Sequence, residues 1–364
     1  MPPDSPAPSS LPNQEPWDDS EPLSLGETGQ GEGRKSLLKR AWIYQKERFP
    51  LVKHGLLIAI FSGAAVGYGA SLTDTRPALT SAFVAFFSTF AFFWQMRVAD
   101  EFKDLSDDAQ YRPYRPVPRG LVSLRELAIL GLTSATIQVS LALWLAPALL
   151  GFLVGIWAYF GLMCKEFFVR NWLKAHPIAY VLSHMVIVPL IGGYAVTAQT
   201  IPNPGSLTFS SLLPFLAACF CNGLVIELGR KIRLPAGEEP GVETYSALWG
   251  LPMAVRLWLG AVLVTAIFSL WAAWYINALA IVAPILAGLM GWIGFKVWPF
   301  LGRCLSLSAP QPSSPAPLPR GEGSVEKRQK SHDILDVPTA IWTLGVYLSL
   351  GWLPWLIHVR QISP

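Results

Sequence analysis

Six stretches of the chain carry no Asp, Glu, Lys or Arg: 54–73, 77–96, 127–164, 175–226, 257–295 and 337–359. A helix needs about 20 apolar residues to cross the hydrocarbon core of a bilayer. Runs of 20, 20, 38, 52, 39 and 23 residues therefore divide into one, one, two, two, two and one spans. Pro147 separates spans near 124–144 and 147–164, Thr200–Ser206 separates 178–198 from 207–228, and Tyr275–Asn277 divides the next pair. The pattern predicts an all-α, polytopic membrane protein with nine transmembrane helices. Unbroken apolar runs exclude an outer-membrane barrel, whose strands would alternate apolar and polar positions.

Polar segments frame these runs. Residues 1–35 are rich in Pro, Ser, Gly and acid, without apolar periodicity, and read as a disordered N-terminal tail. The first apolar run begins only at His54, so no signal peptide is expected. From Arg34 to Lys53 basic residues alternate with Trp42, Ile43, Tyr44, Phe49 and Leu51, a stretch suited to the membrane interface or to a topology anchor. Residues 36–304 would hold the first eight spans, with cytoplasmic loops at 97–121 and 227–250. Residues 305–335 read as a disordered cytoplasmic linker, and 336–364 as the ninth helix and the C-terminus.

Composition agrees: 52% of the 364 residues are hydrophobic and 14% charged, too apolar for a water-exposed enzyme on one anchor. With the N-terminus in the cytoplasm, cytoplasmic segments hold 26 Lys and Arg, while the other side holds only Arg76 and Arg360. That asymmetry satisfies the positive-inside rule and places the C-terminus outside. The net charge of +4 thus marks one membrane face and gives no reason to expect a nucleic-acid partner. Cys164, Cys219, Cys221 and Cys304 lack the spacing of a zinc site and read as core thiols.

Chemistry concentrates after the second span. Asp100, Glu101, Asp104, Asp107 and Asp108 fall within nine residues. If the helix continues, Asp100, Asp104 and Asp108 share one face. Stacked carboxylates need a cation, and hard oxygen ligands without His or Cys nearby point to Mg²⁺. The next segment, Tyr111-Arg112-Pro113-Tyr114-Arg115-Pro116-Val117-Pro118-Arg119-Gly120, sets three arginines on a proline-stiffened loop suited to phosphate. A solvated helix end at the headgroup layer is the plain alternative for the acidic run.

These residues carry a family resemblance. Asp100 to Asp108 followed by Arg112 to Gly120 resembles the first signature of the UbiA-type membrane prenyltransferases, Asn-x-x-x-Asp-x-x-x-Asp and then a basic Pro-rich turn. Asp104 and Asp108 fall on its aspartates and Asp100 replaces its asparagine. The second family motif, after the sixth helix, is answered here by Asn222-Gly223-Leu224-Val225-Ile226-Glu227-Leu228-Gly229-Arg230-Lys231 and the later Glu238, Glu239 and Glu243. Glu227 stands for one family carboxylate, whereas Lys231 occupies the place of the next.

The resemblance implies a bundle around a central cavity, and an intramembrane enzyme that moves a prenyl group from a prenyl diphosphate to a lipophilic acceptor. Mg²⁺ would be the cofactor, held by Asp100, Asp104, Asp108, Glu227 and Glu239. Lys103, Arg112, Arg115, Arg230 and Lys231 would bind the diphosphate. The partners implied are a prenyl diphosphate donor, an aromatic or quinone-precursor acceptor and membrane lipid, in a bacterial inner or thylakoid-type membrane. The aromatic run from Phe83 to Trp94 could flank an allylic cation or face lipid. His184 and the charges Lys165, Glu166, Arg170 and Lys174 read as an interhelical hydrogen-bonding group and as topology charges. The altered second motif leaves open a non-catalytic lipid-binding or assembly protein on the same fold. A transporter would hold its carboxylates near the bilayer midplane, not at helix ends.

Overall fold

The computed structural model describes residues 36–203, 208–238, 242–306 and 335–356, the last residues of the 242–306 segment as backbone only. The expected N-terminal tail and most of the expected 305–335 linker lie outside these residues, as does Glu239. The described residues form helices and turns, without a strand. In chain order the helices are α1 (Leu37–Arg48), α2 (Leu51–Leu72), α3 (Leu79–Lys103), α4 (Leu105–Tyr111), α5 (Leu124–Leu145) and α6 (Leu149–Cys164). After these come α7 (Arg170–Ala175), α8 (Pro177–Met185), α9 (Ile187–Thr200), α10 (Phe209–Arg230) and α11 (Tyr245–Trp249). The last three are α12 (Leu251–Tyr275), α13 (Leu279–Ser306) and α14 (Asp336–Tyr347), and α14 runs on into a π-helical turn, Leu348–Trp352.

Seven helical segments among the described residues are long and apolar enough to cross a membrane. One of them joins α8 and α9 as Pro177–Thr200. Of the nine spans expected, the fourth corresponds to the 16-residue α6, shorter than a bilayer-spanning helix, and the ninth to α14, whose helix continues through the π-helical turn to the last described residue, 356. The chain is an integral membrane protein of helical-bundle architecture.

The centre of the bundle is α9, which packs against α2, α3, α6 and α10. Its Ile191, Tyr194, Ala195, Val196 and Ala198 are buried. Apolar packing alone does not select neighbours when the solvent is also apolar, so small residues and polar contacts decide. A Cβ on Gly67 of α2 would lie 2.6 Å from the carbonyl oxygen of Gly351, so only glycine permits this crossing of α2 and the π-helical turn. Between α3, α5 and α6, Gln95 Nε2 donates to Gln138 Oε1 at 2.7 Å, Trp157 Nε1 donates to Gln95 Oε1 at 3.1 Å, and Gln138 Nε2 donates to the Ser88 carbonyl at 2.9 Å. That closed network satisfies buried amides and sets the spacing of three helices.

The basic amphipathic stretch forms α1. Arg40 bridges to both oxygens of Glu126 at 2.5 and 2.6 Å and donates to the Leu121 carbonyl at 2.7 Å. Glu126 also completes a capping box with Ser123, the N-cap of α5. Trp42 faces outward and Tyr44 is buried, so α1 lies over the bundle by one face.

Candidate functional site

At the end of the bundle where α3 and α10 finish, a cavity of about 1150 Å³ opens. Its walls include Asp100 and Lys103 from α3, Glu166 and Arg170 beyond α6, Tyr180 and His184 from α8, and Glu227, Arg230 and Lys231 from α10. Met96, Trp157 and Phe160 add apolar surface to the wall. Two segments separated by more than a hundred residues thus contribute charge to one space.

The acidic run does not form one continuous face. Helix α3 stops at Lys103, and Asp104 serves as its C-cap with φ −94° and ψ 5°, so the chain bends before α4 begins at Leu105. Asp100 turns toward the cavity and is about half exposed, 3.8 Å from Arg97. The expectation that Asp108 shares its face fails at this bend: Asp108 is 2% exposed and points into a cluster of arginines. Arg115 Nη1 lies 2.6 Å from both Asp108 oxygens, Arg112 Nε 3.2 Å from Oδ1 and Arg48 Nη2 3.8 Å from Oδ2. Glu101 is buried as well, bonded to Arg48 Nε at 2.6 Å and Arg97 Nη2 at 3.2 Å. The proline-rich loop therefore spends two of its arginines on Asp108. Its third, Arg119, pairs with Glu47 of α1 at 2.9 Å. Burial, and after it the neighbouring Asp108 carboxylate, raise the Asp104 carboxyl above the ordinary carboxylate range.

The second polar segment is arranged around Glu227. Its Oε2 accepts from Arg230 Nε at 2.5 Å, and its Oε1 lies 3.0 Å from Lys231 Nζ. Arg230 and Lys231 still present donors to the cavity. Glu238 turns away, accepting from Thr244 Oγ1 at 2.6 Å and Ser246 Oγ at 2.7 Å. Asn222 faces α14, where Thr343 Oγ1 reaches its Oδ1 at 3.5 Å, and is not part of the cavity wall.

Tyr180, which the sequence did not single out, and Glu166, read there as a topology charge, complete the wall. Lys103 pairs with Glu166 and donates to the Tyr180 hydroxyl at 2.7 Å. Glu166 opens a left-handed turn: Glu166, Phe167 and Phe168 have φ of 50°, 52° and 61°. Each such conformation costs a non-glycine residue about 1–3 kcal/mol and persists where surrounding structure over-determines it. Phe168 N donates to the Lys165 carbonyl at 3.0 Å and Val169 N to the Glu166 carbonyl at 2.9 Å, closing the turn. No glycine or asparagine announces it. The available signal was a lone acid at the end of an apolar run in an otherwise basic loop.

Among the described residues no group of three or more His, Cys, Asp or Glu side chains is arranged as a ready-made metal cage. Mg²⁺ rarely uses such cages; it takes one or two carboxylates and fills its shell with phosphate oxygens and water. Asp100 on the cavity wall and Asp104, four residues on and not part of that wall, carry hard oxygens not consumed by a short ion pair, and this donor set fits that mode.

Comparison with known proteins gives the fold. The chain is similar to the apo structure of a UbiA homolog from Aeropyrum pernix K1, at a TM-score of 0.56 and 15% identity over 83% of this chain and 98% of that one. It is also similar to the structure of a digeranylgeranylglyceryl phosphate synthase, at a TM-score of 0.50 and 14% identity over 86% of this chain and 99% of that one. No family model and no curated protein matches the chain. The architecture is a UbiA-type membrane bundle.

Proposed function

We propose that the protein is an intramembrane prenyltransferase that moves a prenyl group from a prenyl diphosphate to a lipophilic acceptor. One observation carries this reading: Asp100, Lys103, Glu227, Arg230 and Lys231 meet on the wall of one cavity that Met96, Trp157 and Phe160 also line. Cations and carboxylates suit a metal-bound diphosphate, and Met96, Trp157 and Phe160 suit its hydrocarbon tail. The UbiA-type fold, shared with a synthase of a prenylated lipid, agrees with it.

Asp100 and Asp104 would hold Mg²⁺, which when bound to the diphosphate supplies charge stabilisation to the departing oxygens. Arg230 and Lys231 would grip the diphosphate from α10, each kept in place by Glu227. Because these groups are positioned before reaction, charge developing on the leaving group meets oriented donors and no reorganisation is needed. The apolar wall excludes water from the allylic cation. Asp108 lies outside the cavity wall and fixes Arg48, Arg112 and Arg115 around itself. The membrane would be a bacterial inner or thylakoid-type one, with the N-terminus and the cavity mouth on the cytoplasmic side.

The test is purified, detergent-solubilised protein with tritiated geranylgeranyl or farnesyl diphosphate, Mg²⁺ and a membrane lipid extract. A labelled lipid product that disappears in Asp104→Ala is the expected result. Absence of turnover with every donor length would overturn the enzyme. It would favour a lipid-binding protein on the same fold, a reading supported by the double engagement of Glu227 with Arg230 and Lys231.

A further inference from the structure

A second concavity, a groove of about 850 Å³, lies between α1, α3 and α5. Helix α1 contributes Leu38 and Trp42, α3 contributes Phe87 and Trp94, and α5 contributes Leu130 and Ile137. No residue belongs both to this groove and to the cavity that Asp100 and Glu227 line. Polar groups inside the groove are already spent. Arg40 and Glu126 pair with each other at 2.5 Å, and Gln45 Oε1 accepts from Leu51 N at 3.2 Å. The apolar groups are not: Leu38, Trp42, Phe87, Leu130 and Ile137 all remain exposed.

The groove has the length of one leaflet. Helix α1 is fastened at the end of the bundle where α3 finishes, because Arg48 Nε donates to Glu101 at 2.6 Å. From that end the α5 wall runs from Glu126 to Ile137, about 16 Å of helix at the usual rise per residue. Half of a bilayer's hydrocarbon core is about 15 Å. An extended acyl chain entering from the headgroup layer matches that run.

Cations stand at the mouth. Lys39 precedes Trp42 by one helical turn and Lys46 follows it by one, so the three side chains share a stripe of α1. Both lysines are exposed, and neither has an ion-pair partner among the described residues. The other charges of α1 are taken: Arg40 by Glu126, Arg48 by Glu101, and Glu47 by Arg119. Free positive charge on α1 is therefore that of Lys39 and Lys46, and it flanks an indole that lines the groove.

We infer that the groove binds an anionic phospholipid, with one acyl chain between α1, α3 and α5 and the phosphate held by Lys39 and Lys46 beside Trp42. The inference does not depend on prenyl transfer. A zwitterionic lipid would fill the groove but give the lysines no net counter-charge, and a free phosphate would pair with the lysines but leave the groove bare. An anionic lipid satisfies both, as basic residues next to an interfacial Trp do at membrane surfaces.

The experiment strips the full-length protein of lipid in detergent and offers phosphatidylglycerol and phosphatidylcholine of identical acyl chains in equal amounts. Bound lipid is counted by native mass spectrometry. Two lysines beside an anionic headgroup should favour phosphatidylglycerol by roughly tenfold or more. Lys39→Gln combined with Lys46→Gln should erase that preference and leave phosphatidylcholine binding unchanged. Ala41→Trp on α1 and Ile137→Trp on α5 fill the groove from exposed positions, and each should lower binding of both lipids without altering the circular dichroism spectrum. Equal binding of the two lipids by wild type overturns the site, as does a preference that survives the lysine substitutions or binding that survives both groove-filling ones. Inorganic phosphate in excess should not displace phosphatidylglycerol. Displacement would reveal an anion site that no acyl chain enters, and would overturn the inference too.

Discussion

Arg115 Nη1 sits 2.6 Å from each oxygen of Asp108, a carboxylate that is almost wholly buried and is also approached by Arg112 and Arg48. This contact ties the proline-stiffened loop to the short helix α4 and, through Arg48, to α1. A residue that the sequence groups with the other aspartates thereby becomes the anchor of a cationic cluster.

Removing that anchor leaves three guanidinium groups facing one another. Breaking a buried pair from one side costs about 3–5 kcal/mol, because the remaining charge is uncompensated. Asp108→Ala should lower the thermal unfolding midpoint in detergent by an amount consistent with that loss. An unfolding midpoint equal to wild type would show that the arginines find water or other partners.

Asp104 should behave in the opposite way. Its carboxyl is raised, first by burial and then by Asp108, so the folded protein holds this proton more tightly than the unfolded chain does. Stability therefore falls as pH rises from the ordinary carboxylate value through the raised one. At neutral pH, Asp104→Asn removes this cost. The variant should unfold no earlier than wild type while its Mg²⁺-dependent transfer falls by two orders of magnitude or more. Early unfolding would refute the electrostatic account, and retained transfer the proposed ligand.

Arg230 and Lys231 stand where diphosphate would be gripped. A hydrogen bond to a charged partner contributes about 1.5–3 kcal/mol. Arg230→Ala should then weaken binding of inorganic pyrophosphate with Mg²⁺ by roughly tenfold or more, by calorimetric titration. Equal affinity would move the phosphate site elsewhere on the cavity wall.

The crossing of α2 with the π-helical turn leaves no room for a side chain at Gly67. Gly67→Leu forces the backbones apart, and overpacking of this kind costs about 1–3 kcal/mol. Thermal unfolding of the variant checks it, with an unchanged midpoint counting against the close approach.

The charge-free runs made the helices legible, because a backbone in hydrocarbon must satisfy its own hydrogen bonds and a long apolar run leaves it one way to do so. Pro147 and the 200–206 segment likewise marked where runs divide, in agreement with α5–α6 and with α9–α10 to within a few residues. Helix α1 was visible in the alternation of basic and apolar residues before His54. Less visible was the bend at Asp104. Nothing in the run Lys103-Asp104-Leu105-Ser106 requires a helix to stop, and the four-residue spacing of aspartates suggested one face where the structure has two. Glu166 was hidden for a related reason: in a basic loop it looked like one more charge at the membrane surface, and no glycine announced the positive φ values around it.

Local properties of the chain, apolar run length and the placement of basic residues, were enough to establish a helical membrane bundle and to mark the two polar segments that end helices α3 and α10. They could do so because hydrophobicity acts residue by residue and needs no knowledge of neighbours in space. Which carboxylates face the cavity, which are consumed by arginine, and how Glu166 comes to pair with Lys103 were decided by tertiary structure. Those outcomes depend on helix ends meeting across more than a hundred residues and on a left-handed turn held by its surroundings, and neither is written in any single segment.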